Sequence, residues 1–176
     1  GEKIKNEYPD KKFEMSEWCE LPLTIDSTTI DSGLYMANIV VQDLNLLNAV
    51  SWQSWTAVNG DGLMEFRDGE LVIYSRYYAY KHFSQFIEKG MTRIDVLDSF
   101  EGDSQIASTA FKGNGKTVIV LVNNAESYQD IRLCGFYEGM QIYRTDAERN
   151  CENIYSGDFA KELNVPAKSI TTVVLN

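Results

Sequence analysis

The hydrophobic period of this chain changes once, near Gly90, and that change limits what it can fold into. Upstream, apolar residues recur three and four apart in some stretches and two apart in others. Downstream, the two-residue period runs almost alone between turn residues. The first pattern builds strands that alternate with helices in a parallel sheet, and the second builds an antiparallel all-β unit. The expected class is therefore α/β followed by all-β, divided into residues 1–90 and 91–176.

Lys12 to Trp18 reads as a short strand. Between Leu34 and Leu47, Ala37, Val40, Val41, Leu44 and Leu47 make one helical stripe, with Asp31 or Ser32 as its cap. Asn48 to Trp55 is a second strand, with Val50, Trp52 and Ser54 on one face and Ser51, Gln53 and Trp55 on the other. Asp68-Gly69, inside Glu65 to Ile73, marks a two-residue hairpin. Tyr74 to Glu88 is a second helix, burying part of Tyr78, Phe83, Phe86 and Ile87 and ended by Gly90. About seven short strands follow by alternation and turn signals. They are Thr92–Leu97, Gln105–Lys112, Thr117–Asn123, Tyr128–Leu133, Met140–Thr145, Glu152–Tyr155 and Ser169–Leu175. Gly113-Asn114-Gly115 joins two of them tightly. Such spacing predicts a β-sandwich.

Charge excludes some functions. Twenty-six acidic residues against 16 basic ones give a net charge of −10, which repels phosphate backbones and argues against nucleic-acid binding. No Lys/Arg block suits an anionic membrane. No apolar run approaches the roughly 20 residues of a membrane span. The N-terminal GEKIKNEYPDKKF has no signal-peptide core. Acidic composition and polar strands point to an extracellular or cell-surface setting.

Cys19, Cys134 and Cys151 are odd in number and widely spaced, so they form no disulfide framework and no zinc pattern. A Cys134–Cys151 bridge and free thiols both fit. The single histidine, His82, reads as a packing or surface residue. Asp95, Asp98, Glu101 and Asp103 lack the spacing of a calcium loop and read as a solvated turn. Neither a zinc nor a calcium site is expected from these patterns.

Two strands with two helices cannot close a barrel or cover both faces of a sheet. The remaining strands are expected from another chain, from an excised segment or from a rearranged fold. Glu17 ends its strand just before the loop from Glu20 to Leu23. In β/α barrels the C-terminal strand ends carry the catalytic groups. A carboxylate there beside a tryptophan suits glycoside hydrolysis, in which it attacks the anomeric carbon while a second carboxyl protonates the leaving oxygen. Taken alone, the segment fits a solvated structural glutamate better.

Ser16-Glu17-Trp18-Cys19 resembles the strand-seven nucleophile motif of glycoside hydrolase family 30. Gln42-Asp43-Leu44 and Asn48-Ala49-Val50-Ser51-Trp52-Gln53-Ser54-Trp55 resemble helix seven and strand eight of that family, and Asp61-Gly62-Leu63 the loop that follows. Ser75-Arg76-Tyr77-Tyr78-Ala79 and Phe83-Ser84-Gln85-Phe86-Ile87, then Gly90 and Arg93-Ile94, resemble helix eight and its exit into a side β-sandwich. Pro166-Ala167-Lys168-Ser169-Ile170-Thr171-Thr172 resembles the closing strand. Glu88-Lys89 departs from the family's Arg-Pro at the domain junction.

The resemblance implies the C-terminal quarter of a (β/α)8 barrel over 1–90 and a β-sandwich side domain over 91–176. It implies Glu17 as nucleophile of a retaining β-glycosidase, without cofactor, acting on a polysaccharide or oligosaccharide. Trp18, Trp52, Gln53 and Trp55 become candidate substrate contacts, with Trp52 or Trp55 as sugar platform. The Trp-Gln-Ser-Trp and Ser-Glu-Trp-Cys motifs look most like the β-1,6-galactanase branch. The family's acid/base lies in an Asn-Glu-Pro motif that this sequence does not contain, so the missing N-terminal barrel half is an expected partner. The alternative is an inactive fragment serving as a structural or carbohydrate-binding sandwich, with Tyr128, Phe136, Tyr137, Tyr143 and Tyr155 as candidate contacts.

Overall fold

The computed structural model describes residues 2–21, 23–96 and 105–176. After a short helix α1 (Glu2–Glu7), strand β1 (Glu14–Trp18) leads through helix α2 (Ile30–Leu46) to strand β2 (Ser51–Ser54). A hairpin of β3 (Met64–Arg67) and β4 (Glu70–Ile73) precedes helix α3 (Ser75–Ser84). The second half holds β5 (Thr92–Ile94), β6 (Ile106–Gly113), β7 (Lys116–Asn123), β8 (Gln129–Arg132), β9 (Gly139–Thr145), β10 (Asn150–Asp158), β11 (Glu162–Val165) and β12 (Ser169–Leu175).

Strands β1 and β2 pair in parallel. The second half forms an antiparallel six-stranded sheet in the order β10-β9-β12-β7-β6-β5, with a separate β11-β8 pair as its partner layer. The central strands of the large sheet, β7 and β12, are buried on both faces. On β7, Val118, Val120 and Val122 face α2 and α3, meeting Leu34, Ala37 and Phe83. Leu121 turns the other way, to Leu163 and Val165 of β11. All seven residues of β12 are buried for the same reason. Strands covered on both sides need apolar residues at consecutive positions, which β7 and β12 supply.

Several boundaries differ from the sequence reading, each for a local reason. Helix α2 begins at Ile30, and Thr29 holds its N-cap position without a side-chain cap bond. Asp31 and Ser32 are thus inside the helix, and Ile30 packs on the core. Helix α3 stops at Ser84, not Glu88. Beyond it Phe86 turns into the core, 4.5 Å from the Tyr143 ring, and Glu88 accepts hydrogen bonds from Lys116 (2.6 Å) and Asn114 (2.8 Å). Gly90 lies at φ 93 in the turn before β5. Eight strands, not seven, follow Gly90 among the described residues; the added one is β11. Leu97, Asp98, Glu101 and Asp103 lie outside the described residues, and Asp95 pairs with Arg93 at 2.9 Å. Cys134 and Cys151 are both free, the first exposed and the second buried, so the bridge does not form. Burial pushes the Cys151 thiol up to about 11.

The Asp68-Gly69 hairpin is present. Both residues have positive φ, 52 and 85, and the strands pair Arg67 with Glu70. That is the primed turn whose twist matches a hairpin.

His82 joins the two halves. Its side chain is fully buried between the hydroxyls of Thr172 (2.7 Å to Nδ1) and Thr145 (2.8 Å to Nε2). The Thr172 hydroxyl donates to the His82 carbonyl, so its oxygen accepts from Nδ1–H. The Thr145 hydroxyl then donates to Nε2, and its oxygen accepts from the Cys151 N–H at 2.8 Å. This chain of bonds suits a neutral imidazole. Burial, aided by the charge of Lys81, pushes His82 down to about 3.

The unfolded chain therefore binds a proton at His82 that the folded chain refuses. Stability is full above the unfolded value near 6.5 and falls as the pH drops toward 3. The slope from this one residue is about 1.4 kcal/mol per pH unit. Urea unfolding between pH 6.5 and 5 should show a steeper loss in the wild type than in a His82→Gln variant. Equal slopes would contradict the assignment.

Candidate active site

The site is built where β1 and β2 end. Glu14 pairs with Ser51, Met15 with Trp52 and Trp18 with Ser54, so β1 carries one extra residue between its last two pairing points. Such a bulge re-aims the side chains beside it. Trp18 and Trp52 both face the helices. Their rings are 5.6 Å apart; Trp18 lies 6.1 Å from Tyr35 of α2, and Trp52 lies 5.7 Å from Tyr80 of α3. The Trp52 indole N–H donates to the buried Asp43 carboxylate at 2.9 Å. The Tyr80 hydroxyl donates to the Trp52 carbonyl at 2.9 Å.

Gln53, next to Trp52 on β2, turns to the opposite face, and Glu17 lies in the bulge of β1. Glu17 and Gln53 are exposed, and Trp55 is 50% exposed. The Trp55 N–H donates to the Trp18 carbonyl at 2.7 Å, which carries the pairing one residue past β2 and holds Trp55 beside the end of β1. The contacts separate the tryptophans: Trp18 and Trp52 pack on the helix side, and Trp55 is half-exposed.

The loops beyond these strand ends are held by groups that sequence reasoning did not single out. Glu20, three residues past Glu17, is buried; its Oε1 accepts from the Thr24 N–H (3.1 Å), the Thr24 hydroxyl (3.0 Å) and the Ile25 N–H (3.1 Å). Its Oε2 faces Nη1 of Arg76, 3.9 Å away, and both side chains are almost fully buried. Arg76 also donates to the carbonyl of Asp61 (3.1 Å), to the hydroxyl of Ser27 (2.9 Å) and to the carbonyl of Gly60 (3.4 Å). Its burial lowers its affinity for the proton, and the charge of Glu20 opposes that loss. Gly62 closes this loop against Thr56: a Cβ there would lie 2.5 Å from the Thr56 carbonyl oxygen. On the hairpin, the Tyr74 hydroxyl donates to Glu65, which also pairs with Arg67 at 3.2 Å. The Tyr74 contact holds the Glu65 carboxyl below its usual range.

Away from the strand ends, Tyr143 and Tyr137 are packing residues, the latter 5.3 Å from Phe159. Tyr155 is 38% exposed, while Tyr128 and Phe136 stand open to solvent. No helix among the described residues is long and apolar enough to cross a membrane.

A parallel strand pair is backed by two helices, which in turn lie on an antiparallel sandwich. Residues 90–173 match the family model of the glycosyl hydrolase family 30 beta sandwich domain. Among solved structures, 98% of the chain superposes on a conserved exported protein from Bacteroides fragilis, with a TM-score of 0.86 at 24% identity. The same share superposes on a family 30 endoxylanase from Clostridium papyrosolvens C71, with a TM-score of 0.79 at 23% identity. A family 30 subfamily 8 xylanase from Clostridium acetobutylicum matches 94% of the chain, with a TM-score of 0.79 at 22% identity. These identities establish likeness of fold. The chain spans 40%, 44% and 43% of those three structures, less than half of each. No curated protein matches the sequence.

Proposed function

We propose that this chain supplies the nucleophile side of a retaining β-glycosidase. Glu17 is the nucleophile, and the general acid/base and the remaining barrel strands come from outside these 176 residues. The observation that carries the reading is the exposed Glu17 at the C-terminal end of a parallel strand, one residue before Trp18, whose carbonyl accepts the N–H of the half-exposed Trp55. In β/α barrels that end bears the catalytic groups. The β1–β2 pair has no further partner strand among the described residues, and Leu23 and Val50 beside it are exposed, as expected of a surface that meets other barrel elements.

The chemistry is a double displacement. A Glu17 oxygen attacks the anomeric carbon, the glycosidic bond breaks, and the leaving oxygen takes a proton from the second carboxyl. Water, deprotonated by that same group, then attacks the anomeric carbon and frees Glu17. The second carboxyl would stand about 5–5.5 Å from Glu17, the separation of retaining enzymes. Trp55 stacks on the sugar ring, and the exposed Gln53 bonds a hydroxyl. The proposed substrate is a β-1,6-linked galactan, on the strength of the Ser16–Cys19 and Trp52–Trp55 motifs. The exported description of the Bacteroides fragilis protein favours an extracellular site of action.

The test is product analysis with the complete hydrolase on β-1,6-galactan, β-1,6-glucan and xylan, following the anomeric configuration by NMR. A β-configured first product from galactan, absent with Glu17→Gln, is the expected result. Inverted product would overturn the mechanism, and cleavage of xylan alone would overturn the substrate.

A second reading, a sugar-binding sandwich without turnover, draws on Phe136 and Tyr128, which are 94% and 63% exposed. Retention on immobilised glycan that is lost in a Phe136→Ala, Tyr128→Ala double variant would favour it.

A further inference from the structure

We infer that Arg76 is a positioning residue that fixes the nucleophile and the aromatic platform relative to each other; this rests on the proposed role of Glu17. One buried guanidinium touches both loops that leave the site. Through Ser27 and Glu20 it holds the loop after β1, and through the carbonyls of Gly60 and Asp61 it holds the loop after β2. Glu20 extends the clamp by gathering the N–H groups of Thr24 and Ile25. Arg76 sits in the first turn of α3, with its guanidinium 5.5 Å over the Tyr74 ring, so the anchor of both loops is itself seated on a helix.

Arginine suits this place because its planar fork can address several acceptors at fixed angles. Lysine carries the charge but not the fork. The pair is also incompletely satisfied: Glu20 Oε2 and Arg76 Nε have no hydrogen-bond partner. Groups buried in that condition are costly to stability. Their placement beside the strand ends of Glu17 and Trp55 gives a functional reason for that cost. A displacement of about 1 Å between reacting groups lowers rates by about 100-fold.

The test compares Arg76→Lys and Glu20→Gln with Val120→Ala, a sandwich-core change of similar thermal cost, in the complete hydrolase well below the melting range. The expected result is a kcat lowered by about 10- to 100-fold in the two clamp variants with KM within about 2-fold, while Val120→Ala keeps its kcat. A wild-type kcat in Arg76→Lys, alongside an inactive Glu17→Ala, overturns the positioning role and leaves the nucleophile assignment standing. An active Glu17→Ala overturns both. Should Arg76→Lys not fold, Ser27→Ala removes a single contact of the clamp. A kcat several-fold below wild type then supports the inference, and an unchanged kcat overturns it.

Discussion

With Glu17 as the proposed nucleophile, Glu17→Ala in the proposed hydrolase should lower turnover by at least about 10³-fold, because the covalent step is lost and only binding and electrostatic assistance remain. The alanine leaves space at the exposed end of β1. Azide at high concentration should enter that space and attack the anomeric carbon directly. The glycosidic bond then breaks toward a protonated leaving group, and the product is a glycosyl azide of inverted configuration. Wild-type enzyme should make no such product. This pairing of loss with chemical rescue separates a nucleophile from a residue that merely supports the strand. A structural glutamate would lose activity through misfolding, and azide could not restore it.

Phe83→Ala should destabilise the folded chain by about 3–5 kcal/mol, the usual range for removing a buried phenyl ring. Phe83 is 5% exposed and belongs to one apolar cluster that includes Ala37 and Val41 of α2, Val118 and Val120 of β7, and Ile170 of β12. The first ninety residues and the sandwich therefore share a core. Calorimetry should record one transition for the wild type and one, lower by roughly 10 °C, for the variant. Two separable transitions would show that the halves fold as independent units.

Much of this architecture was legible in the sequence because burial on one face leaves a periodic trace. The α2 stripe of Ala37, Val40 and Val41 and the continuous apolar runs of β7 and β12 are such traces. The primed turn at Asp68-Gly69 was legible for a different reason: few residue pairs accept positive φ twice in succession. Strand β11 left no trace long enough to read. Only Leu163 and Val165 turn inward from its four residues, and pairing with β8, not composition, holds it straight. Strand β10 runs from Asn150 to Asp158 although nearly every residue is exposed, since its ladder with β9 supplies the order.

The site was legible in part. Glu17 and the tryptophans could be singled out as residue types, but their facing depended on the bulge in β1, a register feature that no local pattern encodes. Strand parity alone puts Trp52 and Trp55 on opposite faces; the contacts with Trp18, Tyr80 and Asp43 decide which face is which. The Glu20–Arg76 clamp was invisible for a plainer reason. Charged residues far apart in sequence give no sign of their pairing, and both types are ordinarily solvent-exposed.

The most direct measurement of the proposed nucleophile assignment is mass spectrometry of the proposed hydrolase after incubation with a 2-deoxy-2-fluoro glycoside carrying an activated leaving group. The fluorine slows both formation and hydrolysis of the covalent intermediate, and the activated leaving group restores formation alone, so the ester accumulates. A single sugar adduct on the proteolytic peptide that spans Phe13 to Cys19, localised by fragmentation to Glu17, is the predicted result. An adduct on any other carboxylate, or inactivation with no adduct on that peptide, would contradict the account.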